Sequence, residues 1–315
     1  MSESVPPVPA AVPVLETREA AAVRRVAGQA AAADGVAPLN EAGLLALAGP
    51  VAPRLHVVVT TAAGEVAGYV GIDTGERPAT AEVVVAPAER RAGVGATLVS
   101  AARAALGPDT PVGFWAHGDL PAARALARSA GLSATRRLAR MLRPEGTPLP
   151  DVPLPPGVRL ARFRPGTDDD AWLRVNAAAF AGHPEQGRWT RTDLQARLDA
   201  DWFDPAGFLL AWADGADATG HPAAAGAERL LGSNWTKLTG PQSPGGSLVG
   251  EIYVLGADPA ARRPGLGTAL AVAGLRSLAD RGAGGVELYV EADSPAVRLY
   301  RRLGFVDDTL DVLYA

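Results

Sequence analysis

One short segment occurs twice in this 315-residue chain, once in each half, and it constrains the fold more than any other feature. The first copy is Arg90-Arg91-Ala92-Gly93-Val94-Gly95-Ala96-Thr97-Leu98, and the second is Arg262-Arg263-Pro264-Gly265-Leu266-Gly267-Thr268-Ala269-Leu270. Each copy follows an apolar stretch typical of a strand and precedes one long enough for a helix. A proline lies six residues before the first glycine in both copies. The repeat predicts one fold in two copies.

The repeated loop has the composition of an anion-binding site. Its two glycines allow a tight turn with accessible backbone N–H groups, and the following helix adds unpaired donors and a partial positive charge. An arginine three residues before the first glycine, Arg90 or Arg262, adds a charge-assisted donor. For either copy alone, the alternative is that the glycines serve only the turn. Because spacing and flanking segments match in both copies, we favour the anion site.

The pattern Arg-x-x-Gly-x-Gly after a strand resembles the pyrophosphate-binding motif of the GCN5-related N-acetyltransferase (GNAT) family. The resemblance implies that the bound anion is the pyrophosphate of acetyl-CoA. A nucleoside triphosphate loop would need Gly-Lys-Ser/Thr, and a dinucleotide-binding loop would need a third glycine that both copies lack. The expected fold is α/β, with two tandem GNAT domains that each contain a mixed, mostly antiparallel sheet flanked by helices.

Composition narrows the expected partners and chemistry. The net charge of −4 gives no basic field for nucleic acid or an anionic membrane, so we expect small-molecule partners. Cysteine is absent, which excludes disulfides and a cysteine nucleophile. The four histidines have no ligand spacing, so we expect no metal. The sequence shows neither a secretory signal nor a membrane-length apolar run, and we expect a cytoplasmic monomer.

A proline-rich segment divides the chain. Six of the thirteen residues 144–156 are proline, which cannot continue a helix or a central strand. We predict a linker there, a disordered tail at 1–13, an N-terminal domain at 14–143 and a C-terminal domain at 157–315.

Strands and helices are predicted in the same order in both halves. The first half has a predicted N-terminal helix that precedes the segment starting at Asp34, then predicted strands at 55–61, 66–72, 82–86 and 112–117 and helices at 93–106 and 121–130. The second half has predicted strands at 208–213, 230–238, 251–257 and 286–291 and helices at 168–180, 265–281 and 295–303. Residues 214–228 and 240–250, rich in glycine, alanine and proline, are predicted surface loops.

Two chemically useful side chains occur only in the second copy. Aligned on the two prolines, the copies place Glu251 opposite Ala79, and Tyr300 falls opposite Leu126 or Ala127, depending on one gap. Acetyl transfer to an amine needs a base for the ammonium proton and benefits from a proton donor to the leaving thiolate. We predict Glu251 as base, directly or through water, and Tyr300 as acid. The alternatives are a strand-end carboxylate and a core tyrosine with a solvated hydroxyl; the asymmetry favours function and a catalytic C-terminal domain.

Lys237 is the only lysine among thirty basic residues. A composition that uses arginine everywhere else indicates that this position does not tolerate the exchange, because a compact ammonium differs from a planar guanidinium. We therefore predict that Lys237 contacts substrate. The alternative is a lysine that remains on the surface without a role.

Further motifs resemble the mycothiol synthases, a family of tandem GNAT enzymes, over residues 16–315. They are Asp34-Gly-Val-Ala-Pro with Glu41, His183-Pro-Glu-Gln-Gly, Trp202-Phe-Asp-Pro-Ala-Gly, Trp235-Thr-Lys, Gly250-Glu-Ile-Tyr-Val and Leu288-Tyr-Val-Glu-Ala-Asp. The resemblance implies acetyl transfer from acetyl-CoA to the cysteinyl amine of desacetylmycothiol, the last step of mycothiol biosynthesis. The alternatives are another small polar amine, such as an aminoglycoside, and a CoA-binding module without turnover; retained Glu251 and Tyr300 argue against the module.

The same resemblance implies which residues bind ligands. Substrate would contact Glu41, Glu185, Lys237, Glu251 and Tyr289. Acetyl-CoA would contact Leu255, Gly256, Ala257, Arg262, Arg263, Pro264, Gly265, Leu266, Gly267, Thr268, Ser294, Pro295, Ala296, Val297 and Arg298. A second, non-catalytic CoA site would comprise Val83, Val84, Val85, Arg90, Arg91, Gly93 and Gly95. The chain departs from the family pattern at Pro264, which removes one N–H donor, and in its short connection at 278–286.

Overall fold

The structure is a computed structural model that describes residues 10–49, 53–75, 78–182, 186–213, 229–240, 247–261 and 263–315. Four predicted features lie wholly or mostly outside these residues: the tail at 1–13, Glu185, the loop at 214–228 and Arg262. The predicted loop at 240–250 is only partly described, and its last three residues belong to a strand.

Helices and strands are interspersed along the chain. The helices are α1 (Thr17–Asp34), α2 (Glu41–Ala46), α3 (Val94–Leu106), α4 (Pro121–Ser129), α5 (Asp169–Ala179), α6 (Arg191–Leu198), α7 (Leu266–Asp280) and α8 (Ala296–Arg302). The strands are β1 (Arg54–Thr60), β2 (Val66–Asp73), β3 (Ala79–Val85), β4 (Val112–Ala116), β5 (Ala134–Arg143), β6 (Val158–Arg162), β7 (Phe208–Ala213), β8 (Leu230–Thr239), β9 (Leu248–Ala257), β10 (Ala283–Glu291) and β11 (Val306–Tyr314).

The chain divides into two compact units. The first contains Met1–Leu138 together with Thr309–Ala315, and the second contains Ala139–Asp308. The division therefore falls within β5 and within β11, and not in the proline-rich segment. That segment is neither helix nor strand, as expected from its prolines. The predicted domains, 14–143 and 157–315, differ from these units in two places: the first unit ends within β5, and it includes most of the last strand, β11. The division of roles between the domains stays a prediction.

In the first unit the strand order is β1-β2-β3-β4-β11-β5. β1, β2 and β3 are antiparallel neighbours, β3 and β4 are parallel, and β11 returns antiparallel to β4. Alternate residues of β2 face opposite sides of the sheet. Tyr69 therefore lies in the hydrophobic cluster that includes α1, and Val70 lies in the one that includes α3. The sheet is thus covered on both faces, which explains why β2 is buried along nearly its whole length.

The second unit repeats this arrangement with the order β5-β10-β9-β8-β7-β6. β6 to β9 are antiparallel neighbours, and β9 and β10 are parallel. On one face Trp172 of α5 and Leu194 of α6 pack against Leu210, and on the other Leu270 of α7 packs against Ala211. Each predicted strand and helix in the described residues is present, with ends that shift by up to three residues. The sequence analysis missed α2, α6, β5, β6 and β11.

Candidate functional site

The strand that precedes the second glycine loop, β9, contains a β-bulge at Tyr253. Trp235 pairs with Val254 and Thr236 pairs with Ile252, so Tyr253 is an extra residue between them. A bulge bends a strand and changes the direction of neighbouring side chains, and bulges are frequent beside active sites. In the first unit, by contrast, the register between β2 and β3 is regular.

A row of three charged residues crosses the sheet next to this bulge. Glu251 pairs with Lys237 of β8 on one side and with Glu287 of β10 on the other. Residues directly opposite each other in a sheet share a face, so the three side chains are neighbours. Arg140 of β5 donates to Glu287 from its Nε at 2.9 Å and from Nη2. Two adjacent carboxylates, Glu251 and Glu287, therefore lie between the two cationic side chains of Lys237 and Arg140, and Glu251 is the carboxylate next to the lysine.

Aromatic rings surround the ammonium group of Lys237. Its Nζ lies 4.3 Å from the ring centre of Trp202 and 5.5 Å from that of Tyr253. The Tyr253 hydroxyl accepts a 2.7 Å hydrogen bond from Nε of the buried Arg197, whose guanidinium lies 3.9 Å from the ring centre of Trp189. Cation–π contacts attract an ammonium to the faces of aromatic rings. The position thus favours lysine over the broader guanidinium of arginine.

Sequence reasoning did not assign roles to Arg197, Trp189 or the ring of Trp202. Five of the six tryptophans lie between 172 and 235, and this concentration is the signal in the sequence that identifies the aromatic group. Most of these rings form the core on the α5 and α6 side of the sheet. Their contribution to the site depends on which rings reach Lys237, which needs the tertiary structure.

Beyond the bulge, β9 and β10 separate. Their parallel ladder ends at Ile252 and Leu288, whereas β9 continues to Ala257. Leu255, Gly256 and Ala257 still pair with β8 on one side of β9. On the other side, which faces β10, the backbone of these three residues lies beyond the end of the parallel ladder. Such a gap between parallel strands is a place where an extended ligand can bond to the backbone. The three predicted pantetheine contacts lie on this segment.

The second glycine loop ends at the first turn of α7. Gly265 is the residue before the helix and has φ 83°, a left-handed conformation that favours glycine. Among the described residues no side chain caps this helix, and a Cβ at Gly267 would meet no heavy atom within 4 Å. Pro264 and Gly265 are exposed, Arg263 and Thr268 are half-buried, and Leu266 is buried. The loop is thus an open cradle of backbone donors.

The predicted acid, Tyr300, lies on α8 with only 7% of its surface exposed. Burial raises the pKa of its hydroxyl to about 12, so the group keeps its proton at neutral pH. The start of α8 carries the last predicted cofactor contacts. Ser294 Oγ accepts from the Ala296 N–H at 3.2 Å, Val297 is buried, and Pro295 and Arg298 are exposed.

Pairing in the two units shows which residues replace the catalytic pair in the first copy. Lys237 pairs with Glu251 across β8 and β9, and Asp73 pairs with Thr80 at the equivalent point across β2 and β3. The bulge adds one residue to β9, which shifts the alignment of β9 with β3 by one residue before this point. The counterpart of Glu251 is therefore Thr80, and the predicted match with Ala79 is wrong by one residue. The conclusion that the first copy lacks this carboxylate at that position still holds.

The counterpart of Tyr300 follows from the helix ends. Phe305 N–H bonds to the Tyr300 carbonyl, and Leu132 N–H bonds in the same way to the Ala127 carbonyl. Of the two predicted matches, Ala127 is the counterpart and Leu126 is not. Alanine has no proton to donate, so the first copy lacks this acid as well.

The first glycine loop differs from the second in its surroundings. Gly93 has φ 86° and precedes α3, in which no described side chain provides a cap. Both Nη atoms of Arg90 donate to the carboxylate of Asp34 at 2.8 Å, and these bonds raise the pKa of Arg90 above its ordinary value. A Cβ at Gly95 would lie 3.2 Å from Leu126 Cδ2, whereas Gly267 is open. In the first loop, Arg90 and Gly95 are therefore already in contact with other groups of the protein.

The other predicted residues are distributed between the units. Glu41 is the first residue of α2 in the first unit, and Tyr289 is 45% exposed on β10 in the second. Val83, Val84 and Val85 form the end of β3, with Val84 buried, and Arg91 is exposed with φ 65°. Among the described residues no helix has the length and hydropathy to cross a bilayer, and no three His, Asp or Glu side chains group as metal ligands.

Comparison with known proteins identifies the family. The sequence model of the Acetyltransferase (GNAT) family matches residues 174–305. A mycothiol acetyltransferase from Salinispora arenicola is 48% identical over 304 residues, which are 95% of this chain and 94% of that protein. This chain belongs to the mycothiol acetyltransferase family. Another mycothiol acetyltransferase, from Nocardia farcinica, is 46% identical over 305 residues, covering 96% of this chain and 95% of that protein.

Solved structures agree on the fold. A GCN5-related N-acetyltransferase from Sphaerobacter thermophilus has a TM-score of 0.66 at 24% identity, covering 99% of this chain and 96% of its own. A tandem GNAT protein from the clavulanic acid biosynthesis pathway has a TM-score of 0.67 at 20% identity, covering 97% of both chains. The predicted α/β fold with tandem GNAT domains is confirmed. As a mycothiol acetyltransferase, the chain is an acyl-CoA-dependent N-acetyltransferase, and the prediction of an enzyme is confirmed.

Proposed function

We propose that this mycothiol acetyltransferase transfers acetyl from acetyl-CoA to the cysteinyl amine of desacetylmycothiol, a cysteine joined to glucosamine and inositol. The name of its relatives supports mycothiol as the product. The observation that carries the proposal is the pair Lys237 and Glu251 beside the bulge at Tyr253, on the strand that continues into the second glycine loop.

The residues of the second unit fit acetyl-CoA. Its pantetheine arm would extend along Leu255–Ala257, where β9 and β10 have separated. Its pyrophosphate would be held by the start of α7, where no described side chain provides a cap and Gly267 leaves the backbone open, with the arginines at 262 and 263. When bound, acetyl-CoA supplies the activated acetyl thioester.

The protein's own groups would handle the protons. Glu251 takes a proton from the substrate ammonium, directly or through water, so that the amine can attack the acetyl carbonyl. Tyr300 gives its proton to the sulfur as the C–S bond breaks, which its raised pKa allows because the hydroxyl is protonated at neutral pH. Transfer is direct, since the chain has no cysteine to carry the acetyl group.

The proposed substrate contacts are Glu41, Glu185, Lys237, Glu251 and Tyr289. A polyhydroxylated substrate suits such a set, because charged and aromatic side chains bind hydroxyl-rich rings through hydrogen bonds and face contacts. The ammonium of Lys237, held by Trp202 and Tyr253, presents donors to substrate oxygens beside the base.

The first unit is proposed to be non-catalytic. Thr80 and Ala127 stand where the second unit has Glu251 and Tyr300. Its glycine loop is followed by the start of α3, which no described side chain caps, and this supports a second CoA site. A pyrophosphate there would compete with Asp34 for the guanidinium of Arg90.

An assay of thiol release from acetyl-CoA tests the proposal. Desacetylmycothiol and an aminoglycoside are compared as acceptors, with mass detection of the acetylated product. We expect desacetylmycothiol to have a kcat/KM higher by about 10³-fold or more, because a site that bonds specific polar groups rejects acceptors lacking them. A comparable kcat/KM with the aminoglycoside would contradict the proposed substrate.

A further inference from the structure

A buried chain of charged groups lies in the first unit. His117 follows β4 and bonds through Nε2 to Glu82 Oε1 at 2.8 Å and through Nδ1 to Asp311 Oδ2 at 2.9 Å. Both carboxylates are buried, and Arg54 Nη1 lies 3.6 Å from Glu82 Oε2. The two carboxylates raise the pKa of His117 to about 10 despite burial, so both ring nitrogens carry protons and donate.

This cluster of Glu82, His117 and Asp311 joins three separate parts of the unit. Glu82 is the last residue of β3 that pairs with β4, His117 follows the end of β4, and Asp311 lies on β11. The ion pair between Glu82 and His117 therefore links β3 and β4 at the point where their ladder ends. Such a link fixes the backbone there against separation.

The cluster also holds the segment that leads to Glu41. Asn40 N–H donates to Glu82 Oε1 at 2.8 Å, and Asn40 Oδ1 accepts from Gly43 N–H at 2.8 Å, which caps α2. A Cβ at Gly43 would lie 2.5 Å from Glu82 Oε2, so α2 packs directly on the carboxylate. Glu41 stands between these two attached residues.

The other end of the same segment rests on the same cluster. Gly118 N–H donates to Asp311 Oδ1 at 2.7 Å, and Val36 packs so closely on Gly118 that a Cβ there would lie 2.9 Å from Val36 Cγ2. Residues 36–40 are thus anchored at both ends. The position of the residue that follows, Glu41, depends on both anchors.

Stability alone is a poor reason for this cluster. Burying charges costs desolvation energy, and a well-packed apolar set of similar volume is often at least as stable. In addition, Glu82 Oε2 and Arg54 Nε have no hydrogen-bond partner among the described residues. Buried polar atoms left without partners call for a reason other than packing.

We infer that Glu82 and His117 are positioning residues that hold the Asn40–Glu41 segment so that Glu41 meets the amine substrate. The inference rests on the proposed function, in which Glu41 binds that substrate. This positioning role of Glu82 and His117 is independent of any CoA bound to the glycine loop of the first unit.

The first test is the kinetics of Glu82→Gln with desacetylmycothiol. The substitution keeps the size but removes the charge and turns an amide towards Arg54. We expect the KM for desacetylmycothiol to rise about tenfold, with kcat and the KM for acetyl-CoA within about twofold of wild type. The matched control is His56→Gln, which removes another buried histidine bond in this unit, to Tyr69 at 2.8 Å, without touching Asn40. It should lower the unfolding temperature and leave the KM unchanged.

A double-mutant cycle separates this inference from the proposed function. If Glu82 acts through Glu41, the pair Glu82→Gln with Glu41→Gln has the same KM as Glu41→Gln alone. The inference would be overturned if the effects of the two substitutions on the KM multiplied in the double variant. An unchanged KM in a folded Glu82→Gln protein would overturn it as well. An unchanged KM in Glu41→Gln would instead refute the substrate role of Glu41, and the inference with it.

Gly43→Ala serves if Glu82→Gln does not fold. Alanine favours the helix but places its Cβ against Glu82, so the KM for desacetylmycothiol should again rise. Gly28→Ala in α1 is the control, because its Cβ meets no described atom within 4 Å. Equal KM values in the two alanine variants would overturn the inference.

Discussion

Glu251 lies directly opposite Lys237 in the antiparallel ladder between β8 and β9, two residues before the bulge at Tyr253. The pairing places the only carboxylate proposed as base next to the only lysine of the chain. Both sit where β9 is about to separate from β10. The first unit has Asp73 and Thr80 at the equivalent positions, so it lacks this combination.

Replacing the proposed base should reduce turnover and leave cofactor binding nearly intact. We expect Glu251→Gln to lower kcat by about 10²- to 10⁴-fold, the range for loss of a general base. Steady-state rates from pH 6 to 9, together with the acetyl-CoA affinity, measure this. Glu287→Gln removes the neighbouring carboxylate that Arg140 binds and should cost less than about tenfold. A near-wild-type rate for Glu251→Gln across this pH range would reduce Glu251 to a structural residue.

Lys237→Arg should raise the KM for the amine although it keeps the charge. The ammonium lies 4.3 Å from the ring centre of Trp202, and a planar guanidinium would need more room and point its donors elsewhere. We expect an increase of about tenfold, measured with desacetylmycothiol at saturating acetyl-CoA. Unchanged kinetics would mean that the single lysine has no special role.

The proposed acid should act over a wide range of pH. The hydroxyl of Tyr300 donates only while protonated, so activity would fall as the pH rises through its pKa of about 12. We therefore expect no alkaline loss of kcat due to this group below pH 10. Tyr300→Phe should lower kcat by about 10²-fold at all these pH values. Full activity of the phenylalanine variant would remove Tyr300 from the mechanism.

The two glycine loops should have separate duties. Gly265→Glu should abolish turnover, because the side chain fills and repels the pyrophosphate position. Gly93→Glu should remove at most one bound CoA and some stability. The two glycines have nearly the same φ, 83° and 86°, so backbone strain is matched between the variants. CoA stoichiometry and kcat measure the difference; an equally complete loss of catalysis in a folded Gly93→Glu protein would contradict it.

Stability should fall at alkaline pH through His117. Its pKa rises from 6.5 in the unfolded chain to about 10 in the fold, so the folded state binds more protons between these values. The stabilisation is complete below pH 6.5 and is lost as the pH rises towards 10. Unfolding temperatures at pH 6.5 and 9.5 should therefore differ more for wild type than for His117→Gln. Equal shifts in both proteins would show that His117 does not titrate as described.

Local patterns in the sequence predicted much of the fold and the outline of the site. The two loops ending at Gly95 and Gly267 appear as glycine spacing, and strand and helix patterns flank both. The lone lysine and Glu251 stood out by composition and by comparison of the copies. Neighbouring residues determine turns and periodicity, so such features are legible without a structure.

The bulge and the end of the chain depended on the tertiary structure. Nothing local marks Tyr253 as the extra residue in β9, and this bulge moved the counterpart of Glu251 from Ala79 to Thr80. Likewise, Thr309–Ala315 belongs to the first unit because β11 pairs with β4, far away in sequence. Strand pairing is decided by packing over the whole sheet, which single segments do not encode.

By itself, then, the sequence determined that one fold with a glycine loop occurs twice and that only the second copy carries Glu251 and Tyr300. The tertiary structure alone decided the partners of the charged groups. Asp34 binds Arg90, and Glu82 and Asp311 enclose His117, across separations of tens to nearly two hundred residues. The reason is physical: a charge buried by folding is stable only beside groups that the whole fold brings to it, and those groups can come from any part of the chain.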